Sequence, residues 1–308
     1  MKIRLIVTLA VAVLVSASSA RAAGLNVMTT TEDLTAIARE IGGDKIQVES
    51  MARGYQDPHF VEAKPSFVIK LHSADLLIAI GRELEIGWLP PLITQARNSK
   101  VQPGGAGYLD ASQNAHILEI PTGQLTRAMG DVHPAGNPHY WLEPGNGRRI
   151  AQSIQKKLAE LDAADAAYFA SRYADFDKRL AEAEKRWDAM MAPYKGTKIV
   201  TYHRSWPNFA ERFGLQVIGY VEPKPGIPPS PSHTLDLIQE MKRQDAKTIL
   251  VEPYFDLKTP NSVARETGAL VVVLAPSVGA EKEITDYFKL FDYDINKLVA
   301  AFKAAGVR

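Results

Sequence analysis

From 163 to 191 the chain runs without a proline, and Tyr168, Phe169, Tyr173, Phe176, Leu180 and Trp187 recur at helical spacing with charged residues between them. A helix of about 29 residues is about 43 Å long at 1.5 Å rise per residue, as long as a domain, so the rest of the chain has to be arranged around it. Its apolar positions do not keep a heptad repeat, which argues against a coiled-coil partner helix and for a stiff strut. The segments on either side of it alternate short β-rich runs with amphipathic stretches, the pattern of helices packed on sheets. The expected fold is α/β, with two α/β lobes joined by a single long rigid helix and a cleft between them. The expected boundaries are a leader at 1–22, an N-terminal lobe at 23–162, the linking helix at 163–193 and a C-terminal lobe at 194–308.

In the first lobe, strands are expected at 25–29, 46–51 and 76–81, with helices at 31–41, 64–71 and 86–98. The stretch 101–110 is glycine-rich, and 112–136 has so little periodicity that it reads as a long loop over a site. Helices are expected at 147–161 and 163–191. In the second lobe, strands at 198–201, 216–220, 248–251 and 270–274 alternate with helices near 206–213, 233–243, 259–267 and within 284–303. A proline-rich loop (Pro223, Pro225, Pro228, Pro229, Pro231) precedes the second of these helices.

Residues 1–22 read as a secretory leader: Lys2 and Arg4, an apolar run from Leu5 to Val15 too short to span a bilayer, and small residues ending in Ala22, after which cleavage is expected. Without Lys2, Arg4 and Arg21 the mature chain carries 33 basic against 35 acidic residues, a net charge of −2. That balance gives no reason to expect nucleic acid as a partner. Cysteine is absent, so no acylated cysteine tethers the chain, and a free, monomeric life in the periplasm is expected.

Three histidines sit on turns. His59 closes Asp57-Pro58-His59, His139 lies in Gly136-Asn137-Pro138-His139, and His203 follows an apolar run. Proline fixes φ and removes a donor while glycine admits unusual φ, so such loops present side chains. His59 and His203, like Glu252, follow expected strands, and open α/β sheets bind ligands beyond the carboxyl ends of their strands. Separations of 80 and 64 residues exclude a local finger, so a shared ion would be held by both lobes. Imidazole suits zinc, copper, nickel and ferrous iron. Glu252 ends a strand beside that of His203 and is the nearest candidate for a fourth ligand, the alternatives being water on the ion with Glu252 only bracing the lobe or orienting His203. His133, six residues before His139, is a candidate to orient a ligand or to touch the ion itself. His72, His116 and His233 read as packed, loop and helix-cap residues, and Tyr140 and Trp141 as walls that keep the site dry.

In these residues the chain resembles the periplasmic metal-binding proteins of ABC importers for zinc, manganese or iron, the zinc-uptake solute-binding family. The matching motifs are Asp57-Pro58-His59 with Glu62 and Pro65, Ala74-Asp75-Leu76 with Gly81 and Glu85, and Gly107-Tyr108-Leu109. Gly136-Asn137-Pro138-His139-Tyr140-Trp141-Leu142 with Pro144, His203 and Val251-Glu252-Pro253 complete the set. The resemblance implies one divalent ion between the lobes, with His59, His139 and His203 as ligands, the third where manganese-binding relatives have a glutamate. It also implies a membrane permease and its ATPase as partners. Two features depart from the pattern: the usual ligand aspartate is replaced at Ala275-Pro276-Ser277-Val278-Gly279, and the stretch 112–131 holds only His116 where zinc members often have a histidine-rich loop.

The expected function is capture of a divalent metal, zinc first and Mn²⁺ or Fe²⁺ as alternatives, and its delivery to an ABC transporter, with no catalysis. The rivals are a zinc hydrolase using Glu252 as general base, against which stands the absence of a His-Glu-x-x-His helix, and a periplasmic metal buffer or chaperone.

Overall fold

The computed structural model describes residues 24–123, 126, 129–130 and 132–307. The expected leader at 1–22 and Asp131 lie outside them. Among the described residues no helix is long and apolar enough to cross a membrane.

The N-terminal lobe is built on a four-stranded sheet of β1 (Leu25–Thr29), β2 (Ile46–Ser50), β3 (Leu76–Ala79) and β4 (Tyr108–Asp110), in the order β2-β1-β3-β4. The C-terminal lobe repeats it with β5 (Lys198–Thr201), β6 (Gln216–Tyr220), β7 (Thr248–Val251) and β8 (Leu270–Val273), in the order β6-β5-β7-β8. Every pairing is parallel, so the carboxyl ends of each sheet's strands share one edge. In each sheet the order reverses between the first and third strands, the place where a crevice opens.

The helices are α1 (Glu32–Gly42), α2 (Pro65–Ser73), α3 (Leu89–Ala96), α4 (Pro144–Leu161), α5 (Ala166–Met191), α6 (Pro207–Phe213), α7 (Pro231–Gln244), α8 (Lys258–Thr267) and α9 (Tyr287–Ala304). Local chemistry sets their ends. The Thr31 side chain caps α1 by accepting from the Leu34 N–H, and Gly43 at φ 53° ends it. Pro144 and Pro231 sit in the first turns of α4 and α7, where their missing N–H costs nothing. Both helices therefore start before the expected 147 and 233. α3 starts at 89 rather than 86, with prolines in its first turn, after a run of turns that opens on Gly81, Arg82 and Glu83 at φ of 77°, 52° and 65°. β4 is the strand that the sequence reading did not assign. Three residues in a glycine-rich stretch show no alternation, and only pairing with β3 from Leu77↔Tyr108 to Ala79↔Asp110 makes them a strand.

α5 is 26 residues long, extended at both ends by short 3-10 turns at Ala163–Asp165 and Ala192–Tyr194. It buries Phe169, Phe176, Leu180, Ala183, Trp187 and Met191 in a core that is continuous between the lobes, reaching from Val27 and Leu76 to Ile199 and Leu250 and joined by α1, α4 and α9. Separate clusters fill the far sides of the two sheets. The lobes are also stitched directly. Buried Asp33 on α1 accepts from the Val278 N–H at 3.0 Å and the Ser277 hydroxyl at 2.5 Å. The Trp141 indole donates to the Pro276 carbonyl at 3.0 Å. A Cβ on Gly54 would lie 1.9 Å from the Val278 carbonyl oxygen, so this close approach of the two backbones requires glycine. The segment beyond Ala275, where the family resemblance places a ligand aspartate, is thus a clasp between lobes.

Candidate metal centre

Each of three imidazoles is fixed by an oxygen on its Nδ1. In Asp57-Pro58-His59 the Asp57 Oδ1 accepts from the His59 backbone N–H at 3.0 Å and lies 2.7 Å from its ring Nδ1. In Asn137-Pro138-His139 the Asn137 Oδ1 does the same, at 2.9 and 3.0 Å. The Asn137 orientation is set from behind, because its Nδ2 donates to Glu119 Oε2 at 2.9 Å and to the Arg204 carbonyl at 2.7 Å. His203, two residues beyond β5, places Nδ1 against Glu222 Oε1, at the end of neighbouring β6. An oxygen acceptor on Nδ1 selects the tautomer with the proton there and leaves the lone pair on Nε2.

Those free sides converge. His59, His139 and His203 offer ring nitrogens that all lie within 4.8 Å of one another, with ring centroids 5.1 to 5.4 Å apart. His139 is 2 % exposed, and its Nε2 is buried with no hydrogen-bond partner among the described residues. A buried acceptor without a donor is costly, and several lone pairs facing one another are a worse arrangement unless a cation sits among them. Trp141, 1 % exposed, packs its ring 5.4 Å from that of His139, and Tyr140 donates its hydroxyl to the Ile80 carbonyl at 2.8 Å.

The titration behaviour follows from this packing. Burial drives His139 well below 6.5, and the charges of His59, His203 and His133 add to the effect. Burial and the same kind of neighbours lower His133 to about 4. Burial also opposes protonation of His203, but the hydrogen bond and charge of Glu222, with Glu252 and Asp57 beyond, outweigh it and raise its pKa. Burial pushes the Asp57 carboxyl up, yet the hydrogen bond and charge of His59 overcome it and hold it below its ordinary value.

The structure does not bring Glu252 into the three-nitrogen group. It leaves β7 next to β5 as the topology suggested, but the strand end buries it completely, and its Oε1 accepts from the Trp206 indole at 3.1 Å. Oε2 has no hydrogen-bond partner among the described residues, and burial raises the carboxyl to about 7, against the pull of His203. The other histidines are engaged elsewhere: His72 Nδ1 lies 2.9 Å from the Ala96 carbonyl, His116 Nε2 2.9 Å from Glu211, and His233 Nε2 2.9 Å from the Tyr220 carbonyl. The sequence reading missed the orienting residues. Asp57 and Asn137 carry a signal, an Asx two residues before histidine in both Pro-His turns. Glu222 carries only a topological one, its place at the end of the strand beside β5.

Two parallel α/β lobes on a common helical core, with imidazoles from both lobes meeting between them, define a metal-binding solute-binding protein of an ABC transporter. The chain belongs to the ZnuA family, zinc-uptake complex component A, periplasmic, whose family model matches residues 27–301. It is 25 % identical over 273 residues to the high-affinity zinc uptake system protein ZnuA of Yersinia pestis, covering 81 % of this chain and 82 % of that protein. It is 26 % identical over 284 residues to the manganese ABC transporter substrate-binding lipoprotein PsaA of Streptococcus pneumoniae, covering 89 % and 87 %. A crystal structure of ZnuA superposes with a TM-score of 0.75 at 26 % identity, over 90 % of this chain and 99 % of that one. The FpvC solute-binding protein of Pseudomonas aeruginosa, in complex with Mn²⁺, shares the fold at a TM-score of 0.76 and 23 % identity, over 92 % and 100 %. The family is made up of substrate-binding proteins that work with a permease and an ATPase, not of enzymes, which removes the hydrolase reading.

Proposed function

We propose that this protein, exported to the periplasm with residues 1–22 removed, captures one zinc ion as a monomer and hands it to the permease and ATPase of an ABC importer. His59, His139 and His203 are the ligands in this reading. The observation that supports it most is the convergence of three nitrogens whose opposite ring positions are all committed to side-chain oxygens. Neutral nitrogen donors favour zinc, copper, nickel or ferrous iron over manganese, which prefers oxygen; Mn²⁺ and Fe²⁺ are the competing cargoes. The buried Glu222 and Glu252 carboxyls and the partly exposed Asp57 around His203 offset part of a divalent charge without each having to touch it. Direct ligation by Glu252 requires Oε2 to enter the nitrogen group, and a zinc titration of Glu252→Gln separates that case from a purely electrostatic role.

The test is elemental analysis of protein isolated from the periplasm without added metal, followed by competition titration with a chelator. About one equivalent of zinc, retained against manganese in excess, is expected. Stoichiometric manganese or iron in the isolated protein, not displaced by zinc, would overturn the choice of cargo.

A further inference from the structure

A fourth imidazole stands at the edge of this cluster. His133 Nε2 lies 3.3 Å from His59 Nε2, and the two rings stack with centroids 5.4 Å apart. For a tetrahedral zinc with Zn–N of about 2.0–2.1 Å the edge between two ligand nitrogens is roughly 3.3–3.4 Å. The His59–His133 pair already has that spacing. His133 also lines the opening over the site together with Val132, His139, His203, Arg204 and Pro225.

Its placement is built. Arg82, on the left-handed turn that follows β3, reaches the loop at both ends: Nε donates to the Ser112 hydroxyl at 3.0 Å and a terminal nitrogen donates to the Ala135 carbonyl at 3.0 Å. Two consecutive non-glycine residues, Arg82 and Glu83, hold positive φ there, an uncommon arrangement that costs backbone energy and sets the guanidinium toward the loop. Gly136, at φ 95°, lets the chain turn between His133 and Asn137; a Cβ there would meet Ile117 at 2.5 Å. Ala275, in contrast, offers no donor atom; His133 and Glu252 both lie outside the three nitrogens that are within 4.8 Å of one another, but His133 has a nitrogen 3.3 Å from one of them.

Resting on the proposed metal-capture function, we infer that His133 is the fourth ligand, completing an all-imidazole site in place of the carboxylate that the family resemblance leads one to expect. Four neutral nitrogens in a tetrahedral set suit zinc and disfavour oxygen-seeking manganese. The ligand also sits on a loop that Arg82 ties at Ser112 and Ala135, not on a strand end.

The experiment uses the mature full-length chain and zinc. Chelator competition gives affinity, and zinc-edge X-ray absorption gives the number of imidazoles on the metal, for the parent, His133→Ala, His133→Gln and Glu252→Gln. The expected result is four imidazoles in the parent, three in both His133 variants, and a loss of affinity at least as large as the roughly 10–100-fold that follows removal of an outer-shell partner. Glu252→Gln should keep four imidazoles. The glutamine variant preserves bulk, so a folding defect confined to His133→Ala leaves the test intact. If the parent and His133→Gln show the same three imidazoles, His133 is not a ligand, whatever its affinity effect, while the metal-capture function stands. A spectrum changed only by Glu252→Gln would give the fourth position to that carboxylate. A parent that binds no zinc would sink the function and this inference together.

Discussion

Asp57-Pro58-His59 and Asn137-Pro138-His139 build one turn twice, with an acid at the partly exposed copy and an amide at the buried one. The His59 side chain is 13 % exposed and that of Asp57 19 %, whereas Asn137 and His139 are 6 % and 2 % exposed. Both turns deliver the same product, an imidazole with its Nδ1 held and its Nε2 lone pair aimed at the cluster. Near solvent an ionised carboxylate is tolerable and adds charge beneath a ligand. In the interior an ion without a close partner is expensive, and a neutral amide does the orienting, with its NH₂ satisfied by Glu119 and the Arg204 carbonyl. Because Arg204 follows His203, the buried turn also registers one lobe's ligand against the other's.

The comparison is tested hardest by removing the ligands. His139→Ala and His59→Ala should each weaken zinc binding by more than roughly 10²-fold, beyond the usual loss from an outer-shell partner, as read by chelator competition, and His203→Ala should do the same. Parental affinity in two of the three would show that the convergence does not hold the ion.

Exchanging the acceptors should separate the two turns. Asn137→Asp places a carboxylate beside Glu119 and takes the donor away from the Arg204 carbonyl, so the metal-free protein should lose about 1–3 kcal/mol in urea unfolding. Asp57→Asn keeps an oxygen on Nδ1 and removes only charge near the surface. It should leave stability within about 0.5 kcal/mol and lower zinc affinity by no more than the roughly 10–100-fold outer-shell range. Equal effects on stability would end the distinction between wet and dry turns.

How these turns could be read from the sequence was uneven. The prolines and glycine that set His59 and His139 on loops are local signals, and the strands at 25–29, 198–201, 216–220 and 248–251 matched β1, β5, β6 and β7 because short, mostly apolar runs of strand length between helical stretches have few alternatives. β4 was missed because its three residues owe their conformation to β3. The core that runs between the lobes was invisible for the same kind of reason: helical periodicity shows which face of α5 is apolar, not that α1 and α9 both cover it. Glu252 was legible as a strand-end carboxylate, but the Trp206 indole that occupies one of its oxygens lies 46 residues away. His133 was visible only as a histidine near another, since Arg82, which holds its loop, comes from the far side of a left-handed turn.

Acidification should reach the ligands in a set order. The folded pKa of His203 is raised above 6.5, so protons compete for it from above that value downward, and the zinc-dependent rise in melting temperature should shrink as pH falls through it. Without metal the signs divide. The His203–Glu222 pair stabilises the fold fully below pH 6.5 and loses its contribution as pH rises through the raised pKa. His133, lowered to about 4, destabilises as pH falls from 6.5 toward 4, because the unfolded chain takes a proton that the folded one refuses. A zinc increment flat from about pH 7.5 to 5.5 would contradict imidazole ligation.

The smallest expected effect is that of Glu252→Gln on the metal-free protein. With the carboxyl raised from 4.5 to about 7 by burial, the folded state carries a penalty that grows as pH rises from 4.5 through 7. The glutamine variant should therefore melt a few degrees higher than the parent at pH 8 and equal to it near pH 4, by calorimetry. A lower melting temperature at pH 8 would mean that the ionised carboxylate supports the fold.

The sharing of one ion by imidazoles from both lobes is tested most directly by a crystal structure of the zinc-loaded protein with anomalous data at the zinc edge. It should show a single ion between the lobes with Nε2 of His59, His139 and His203 each at about 2.0–2.1 Å. An ion bound by residues of one lobe alone, or one that leaves any of these three nitrogens beyond bonding distance, would contradict it.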